Sequence, residues 1–278
     1  DKTTHIMSGQ QATELTAETR QMVLNEYQVI DYSACATWGP GDNLNRLIPS
    51  LTPQQSDLWN VVLPMQDVRD DRGQGELVVY FAHTLSKWLG FSLPDRDVAI
   101  LAAIVHDTGY SLIPNINQLF TEILRDIVTG DSDTQDMARE RDREMRIEHQ
   151  EHAADIAASH LSDHPRLQEI QAIVRDHDTR DHPPSKCAIA MWDADVLWRV
   201  TLPAVHATYR RFPELSDDFE LLYETLRDQL HLNRPKGLWH ELSYLIGRLE
   251  LRSTVNHLVK TEGHTLPAQF EEDFADLY

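Results

Sequence analysis

The stretch AILAAIVHDTGY, Ala99–Tyr110, limits how this 278-residue chain can fold. Ala99–Val105 are seven consecutive apolar residues, which is typical of a buried helix. His106 and Asp107 end this run, and Thr108-Gly109 follows. Burying an unpaired imidazole or carboxylate costs several kcal/mol. The stretch therefore predicts that other segments supply partners for His106 and Asp107.

Helical periodicity extends over nearly the whole chain, and it predicts an all-α fold. Thr16 with Glu18 is a helix-start pattern, Gly90 is typical of a C-cap, and Pro94 fits a first helical turn. The first half of 131–161 is highly charged, which predicts a solvated face or a loop that leads into a helix. The predicted helices cover residues 16–34, 56–70, 73–90, 93–107, 113–130, 131–161, 163–178, 185–200, 216–230, 236–263 and 267–278.

The composition excludes several classes of function. A net charge of −20 disfavours nucleic-acid binding and opposes a phosphorylated substrate unless cations gather locally. No apolar run reaches the roughly 18 residues that span a membrane, and the N-terminus does not have the pattern of a signal peptide. Two distant cysteines, Cys35 and Cys187, fit a reducing compartment, so we expect a cytoplasmic protein. Residues 1–6, ahead of Met7, are interpreted as an expression remnant.

Polar residues recur inside or at the ends of the apolar helices, and they are the candidate partners of His106 and Asp107. Neutral imidazoles and carboxylates are ligands that zinc, iron and manganese accept. A metal held by several helices would solve the burial problem. The candidate ligands, in chain order, are His83, His106, Asp107, His149, His177 and Asp195.

Three local patterns add a resemblance to this order. They are HDTGY after an apolar helix, HQEHAADIA around His149, and ADVL around Asp195. Over roughly residues 75–200 the chain resembles the HD superfamily of metal-dependent phosphohydrolases. The resemblance implies an all-α, HD-domain-like bundle with additional N- and C-terminal helices. Two features depart from the family pattern: the long spacing from Asp107 to His149, and Ala153 where the family has Gly.

The resemblance also implies a ligand set. His83, His106, Asp107 and Asp195 would bind a first metal. In members with two metals, His149 and His177 would complete the second site, with Asp107 as the bridge. The residues themselves leave two alternatives open. His152 competes with His149 one turn away, and Asp193 competes with Asp195.

The function implied is hydrolysis of a small phosphorylated molecule, such as a nucleotide, by metal-activated water. One or two divalent ions are expected, with iron for a binuclear site and Mn, Zn, Ni, Mg or Co as other choices. Asp107 and Asp178 are the predicted catalytic residues. The predicted substrate-binding residues are Arg146, Arg175, Arg180 and Lys186.

Two other functions remain open. Some relatives with six ligands are di-iron mixed-valence oxygenases, but the inositol oxygenase carries Lys where this chain has Tyr110. A non-enzymatic metal-containing sensor or scaffold is the third interpretation. Formation of a homodimer is undecided, and neither nucleic acid nor a membrane is an expected partner. The predicted organisation is a helical extension over 1–74, a metal-binding core over 75–205 and packed C-terminal helices over 206–278.

Overall fold

The computed structural model describes residues 15–32, 41, 43–48, 50–179, 182–232 and 237–277. Within these ranges the protein is all-α and contains no strand, as predicted. The α-helices are α1 (Ala17–Glu26), α2 (Leu44–Leu47), α3 (Pro53–Val62), α4 (Gln74–Trp88), α5 (Leu93–Val105), α6 (Ile116–Thr129), α7 (Ser132–His160), α8 (Leu167–Asp176), α9 (Lys186–Leu197), α10 (Leu202–Arg211), α11 (Phe219–Arg227), α12 (Glu241–Glu262) and α13 (Phe270–Asp273). Short 3₁₀ helices cover Leu63–Met65, Thr108–Leu112, Trp198–Val200, Pro213–Ser216 and Ala275–Leu277.

Helix α5 lies at the centre of the bundle. Its residues from Val98 to Val105 are buried, which explains its continuous apolar pattern. It forms a hairpin with α4, and both helices pack against α9, while α3 and α8 cover other sides of α5. Helix α7 packs against α6, α8 and the 3₁₀ helix that follows α5. This arrangement brings the C-terminal end of α5 against the middle of α7.

The structure corrects several of the predicted helices. Helix α3 begins at Pro53 and ends at Val62, before the 3₁₀ turn that contains Pro64, instead of covering residues 56–70. Helix α1 ends at Glu26 instead of continuing to residue 34, because Tyr27 and Ile30 turn away to donate hydrogen bonds to Glu250 of α12. Helix α7 is one continuous helix of 29 residues, and buried Ala138 and Met145 anchor its charged half. Helix α10 was not predicted, and the predicted boundary between residues 205 and 206 falls inside it.

The terminal helices share one apolar core with the central bundle, from Val23 of α1 to Leu277 near the end of the chain. A second, smaller core lies between the 3₁₀ helix after α5, α6 and α7, and it includes Tyr110 and Phe120. Among the described residues, no helix has both the length and the apolar character needed to cross a bilayer.

Candidate metal centre

Four helices bring polar side chains to one place in the bundle. His106 and Asp107 follow the last residue of α5, and His177 follows the last residue of α8. His149 lies within α7 and Asp195 within α9. Because α5 and α8 stop at this point, their terminal side chains can face the sides of α7 and α9. The partners predicted for His106 and Asp107 are therefore present.

The three histidine rings are fixed in the same way. The Nδ1 atom of His106 lies 2.8 Å from the carbonyl oxygen of Ala103, and Nδ1 of His177 lies 2.7 Å from that of Val174. Nδ1 of His149 faces the carbonyl oxygen of Met145 at 3.4 Å. Since a carbonyl oxygen only accepts, Nδ1 donates in each pair, and Nε2 is the nitrogen that can bind a metal once it carries no proton.

Asp107 lies between the histidines and uses both carboxylate oxygens. Its Oδ1 is 3.4 Å from Nε2 of His149 and 3.4 Å from Nε2 of His177. Its Oδ2 is 3.6 Å from Nε2 of His106, and the same Nε2 is 3.6 Å from Oδ1 of Asp195. Asp107 thus joins two groups of side chains, one on each oxygen.

These distances define two candidate metal groups. Group one consists of His106, Asp107 and Asp195, and group two consists of Asp107, His149 and His177. In each group the potential ligand atoms lie within 4.8 Å of one another. Nε2 of His106 is buried and has no hydrogen-bond partner among the described residues. A buried, unpaired nitrogen surrounded by carboxylates fits a divalent cation, and three protein ligands per ion are typical of catalytic sites.

Gly109 allows α7 to approach the end of α5. A Cβ atom at this position would lie 1.9 Å from the carbonyl oxygen of His149 and 2.8 Å from the backbone nitrogen of Ala153. Only glycine leaves room for such a contact between two backbones. Gly109 therefore lets the backbone of His149 lie against the end of α5.

Four arginines and four carboxylates line a cavity of about 130 Å³ beside the two groups. Each candidate metal-binding carboxylate on this wall has an arginine: Arg69 Nη2 is 2.8 Å from Oδ2 of Asp107, and Arg199 Nη2 is 2.9 Å from Oδ2 of Asp195. Arg146 Nη1 lies 2.9 Å from Oδ1 of Asp178. The fourth arginine is Arg211, which pairs with the fourth carboxylate, Asp71. Although the chain is acidic overall, four of its arginine side chains meet at this one cavity.

The charges explain the pKa shifts. Burial raises the pKa of Asp107, but His106 and Arg69 outweigh burial and hold it well below its usual range. Burial lowers the pKa of His177, but Asp178 and Asp107 outweigh burial and bring it to about 9. Burial lowers the pKa of His149. The carboxylates are therefore ionised at neutral pH and available to a cation.

Comparison with family models identifies the part of the chain that carries this centre. Residues 76–199 match the model described as the HD domain. The chain contains an HD domain. The resemblance noted in the sequence is thus confirmed, together with the all-α fold typical of the family. Comparisons with curated proteins and with solved structures gave no match for the chain.

Within the HD domain, the structure distinguishes the residues that competed in the sequence. His149 is buried in group two, whereas His152 is half-buried beside Glu148. Asp195 belongs to group one, whereas the carboxylate of Asp193 accepts hydrogen bonds from the backbone of Trp239 and His240. Asp193 is thus placed to hold the turn before α12.

Of the six predicted ligands, all in described parts of the chain, His83 alone lies outside both groups. Its Nε2 faces Oγ of Ser50 at 3.4 Å. Gln74, nine residues earlier in α4, points at the centre instead: its Nε2 donates to Oδ2 of Asp107 at 2.6 Å, and its Oε1 accepts from Arg69. Nine residues correspond to about 13 Å along a helix, so the two positions occupy different ends of α4.

The predicted substrate-binding residues lie in different places. Arg146 lines the cavity. Arg175 pairs with Glu151 on the surface, and Lys186 pairs with Asp95 near the start of α5, the end remote from His106. Neither residue is among the cavity-lining side chains. Arg180 lies outside the described residues. The predicted catalytic Asp178 does lie at the centre, with Oδ2 3.7 Å from Nε2 of His149.

Sequence reasoning missed Arg69, Gln74, Arg199 and Arg211. A signal for Gln74 was available, because the helices of an α-helical hairpin run antiparallel. A partner for the C-terminal end of α5 must therefore come from the N-terminal end of α4, where Gln74 lies. No signal pointed to Arg69 and Arg211, which lie outside the HD domain on either side of it.

Proposed function

We propose that this protein is a metal-dependent phosphohydrolase that acts on a small phosphorylated molecule. The observation that carries the proposal is the junction of the two metal groups with a cavity lined by four arginines. Proteins with an HD domain are mostly metal-dependent hydrolases. The carboxylates supply sites for cations, and the guanidinium groups supply donors suited to phosphoryl oxygens.

The proposed roles follow from contacts. Asp107 would bridge the two ions, His106 and Asp195 would complete group one, and His149 and His177 would complete group two. When bound, the metal would lower the pKa of a water molecule and polarise a phosphoryl oxygen. Asp107 and Asp195 would then bind metal instead of pairing with Arg69 and Arg199. The guanidinium groups of these two arginines would become available to the substrate.

Asp178 is proposed to orient the attacking water. Burial raises its pKa, but Arg146 and the neighbouring histidines outweigh burial and keep it well below the usual range. An ionised carboxylate accepts hydrogen bonds and is a weak base, so positioning of water fits Asp178 better than storage of a proton. Arg146 bonds both Asp178 and Asp142, and it thereby fixes the carboxylate beside group two.

The test is hydrolysis of p-nitrophenyl phosphate and a panel of nucleotides by protein stripped of metal and reloaded with Mn²⁺, Fe²⁺, Zn²⁺, Ni²⁺, Co²⁺ or Mg²⁺. We expect activity only with metal, loss of activity in Asp178→Asn, and unchanged activity in the surface control Arg175→Met. Equal hydrolysis with and without metal, or none with any metal, would contradict the proposal. Oxygen uptake by the iron-loaded protein without phosphate release would favour the oxygenase interpretation.

A further inference from the structure

Arg211 and Arg69 come from segments outside the HD domain, and both line the cavity beside the metal groups. Arg69 precedes α4, and Arg211 is the last residue of α10. Arg69 contacts Asp107 and also Asp71, with its Nε 2.9 Å from Oδ2 of Asp71. Arg211 contacts Asp71 but no candidate metal ligand. A chain of charges therefore runs from Asp107 through Arg69 and Asp71 to Arg211.

The two guanidinium groups are held in place by the same neighbours. The guanidinium carbons of Arg69 and Arg211 lie 5.0 Å and 4.9 Å from the centre of the Phe120 ring. Nη2 of Arg211 donates to the backbone carbonyl of Arg69 at 2.6 Å. The side chains of Arg69 and Arg211 are 9% and 12% exposed. Both guanidinium groups are thus held in fixed positions over one aromatic ring.

The charges at this end of the cavity do not balance once Asp107 is assigned to metal. Both guanidinium groups then share one carboxylate in direct contact, that of Asp71. Nε of Arg211 is buried and has no hydrogen-bond partner among the described residues. Burial, with Arg69 nearby, lowers the pKa of Arg211 to about 10, so it remains a cation at neutral pH. An unpaired donor on a buried cation that lines a cavity is a site for an anion.

We propose that Arg211 and Arg69 bind a second anionic group of the substrate, next to the phosphoryl group that is hydrolysed. The inference rests on the proposed function, because that function places the first phosphoryl group at the metals. The substrate would then be a diphosphate-type molecule, in which two anionic groups are adjacent. The flanking segments would confer this selectivity, since the HD domain itself contributes neither arginine.

The test compares three unreactive or simple probes by calorimetric titration of the Mn²⁺-loaded protein: inorganic phosphate, methylenediphosphonate and phosphonoacetate. We expect the wild type to bind one of the two-group probes at least tenfold more tightly than phosphate. The tighter of methylenediphosphonate and phosphonoacetate identifies the second group as phosphate or carboxylate. Metal content is measured after each titration, because diphosphonates can extract metal.

Arg211→Met should reduce the preference for the two-group probe over phosphate by about 10- to 100-fold, the effect of one charge-assisted contact. Arg211→Lys, which keeps the charge without the planar fork, should retain part of the preference. The matched control is Arg210→Met on the same helix, since Arg210 tethers the same turn through Asp70 without lining the cavity. This variant should keep the full preference.

No preference in the wild type, or the same preference in Arg211→Met and wild type, would overturn the subsite. The two proposals fail separately. Hydrolysis of p-nitrophenyl phosphate by the wild type without any preference for two-group probes would refute the subsite alone. Tight, Arg211-dependent binding of methylenediphosphonate without hydrolysis of any phosphate ester would refute the hydrolase alone.

Discussion

Gly109→Ala tests whether the contact between α5 and α7 sets the metal centre. The added Cβ atom would lie 1.9 Å from the carbonyl oxygen of His149, whereas ordinary contact begins at 3.4 Å. One backbone must therefore move by about 1.5 Å, the difference between these distances, and no flexible side chain can absorb the shift. Overpacking of this kind costs about 1–3 kcal/mol of unfolding free energy.

The displacement should remove His149 from group two. Metal sites tolerate deviations of only about 0.2 Å in ligand distance. We therefore expect Gly109→Ala to lower metal affinity at least tenfold and to lose about one ion per chain. The assays are elemental analysis after dialysis against a weak chelator, and urea unfolding monitored by circular dichroism.

Gly247→Ala is the matched control. Its Cβ would meet side-chain tips of Leu230 and Leu197 at 2.6 Å and 2.9 Å in the core between α9 and α12. It should lower stability by less than Gly109→Ala, because leucine tips can rotate away, while metal content stays unchanged. A folded Gly109→Ala protein with wild-type metal content and affinity would refute the reasoning about α5 and α7.

Three further results are expected. Asp107→Asn removes the charge shared by both groups, so elemental analysis should find neither ion, and retention of both would contradict the bridging role. Glu250 is buried on α12, and burial raises its pKa to about 7, so the folded state retains a proton that the unfolded state releases above about pH 4.5. Glu250 should therefore lower stability between about pH 4.5 and 7 by up to about 3 kcal/mol. Because burial also raises the pKa of Glu76 and of Asp193 to about 7, Glu250→Gln should reduce, and not abolish, the decline in unfolding free energy measured with urea at pH 5 and 7.5; an identical decline in both proteins would exclude Glu250 as a source. Lys186→Met removes an ion pair at the surface, so it should change the unfolding free energy by less than about 1 kcal/mol and leave metal content unaltered. Loss of metal in this variant would show that Lys186 belongs to the site.

Much of the candidate metal centre could be predicted because the side chains that meet there are polar residues in apolar surroundings. His106 and Asp107 interrupt the most apolar helix of the chain, and Asp195 lies in a buried segment of α9. Such buried polar residues need partners, and the other polar residues within apolar helices were the candidates for that role. The same argument failed for His83, because a half-buried histidine that contacts Ser50 looks the same in the sequence as a ligand.

The remaining features depend on contacts between distant segments. Arg69 and Arg211 are 142 residues apart, and their meeting follows from how α10 packs against the turn before α4. Helix α1 stops early because Glu250, more than 200 residues away, binds the backbone and side chains that follow it. Local sequence patterns contain no information about such pairs, so the cavity and its arginines became visible only in the folded chain.

The central proposal is that Asp107 would join two metal ions. Anomalous diffraction from crystals of the metal-loaded protein tests it directly. We expect two peaks about 3.5–4 Å apart, one beside His106 and Asp195 and one beside His149 and His177, with a carboxylate oxygen of Asp107 on each. A single peak, or none with Asp107 still paired to Arg69, would contradict it.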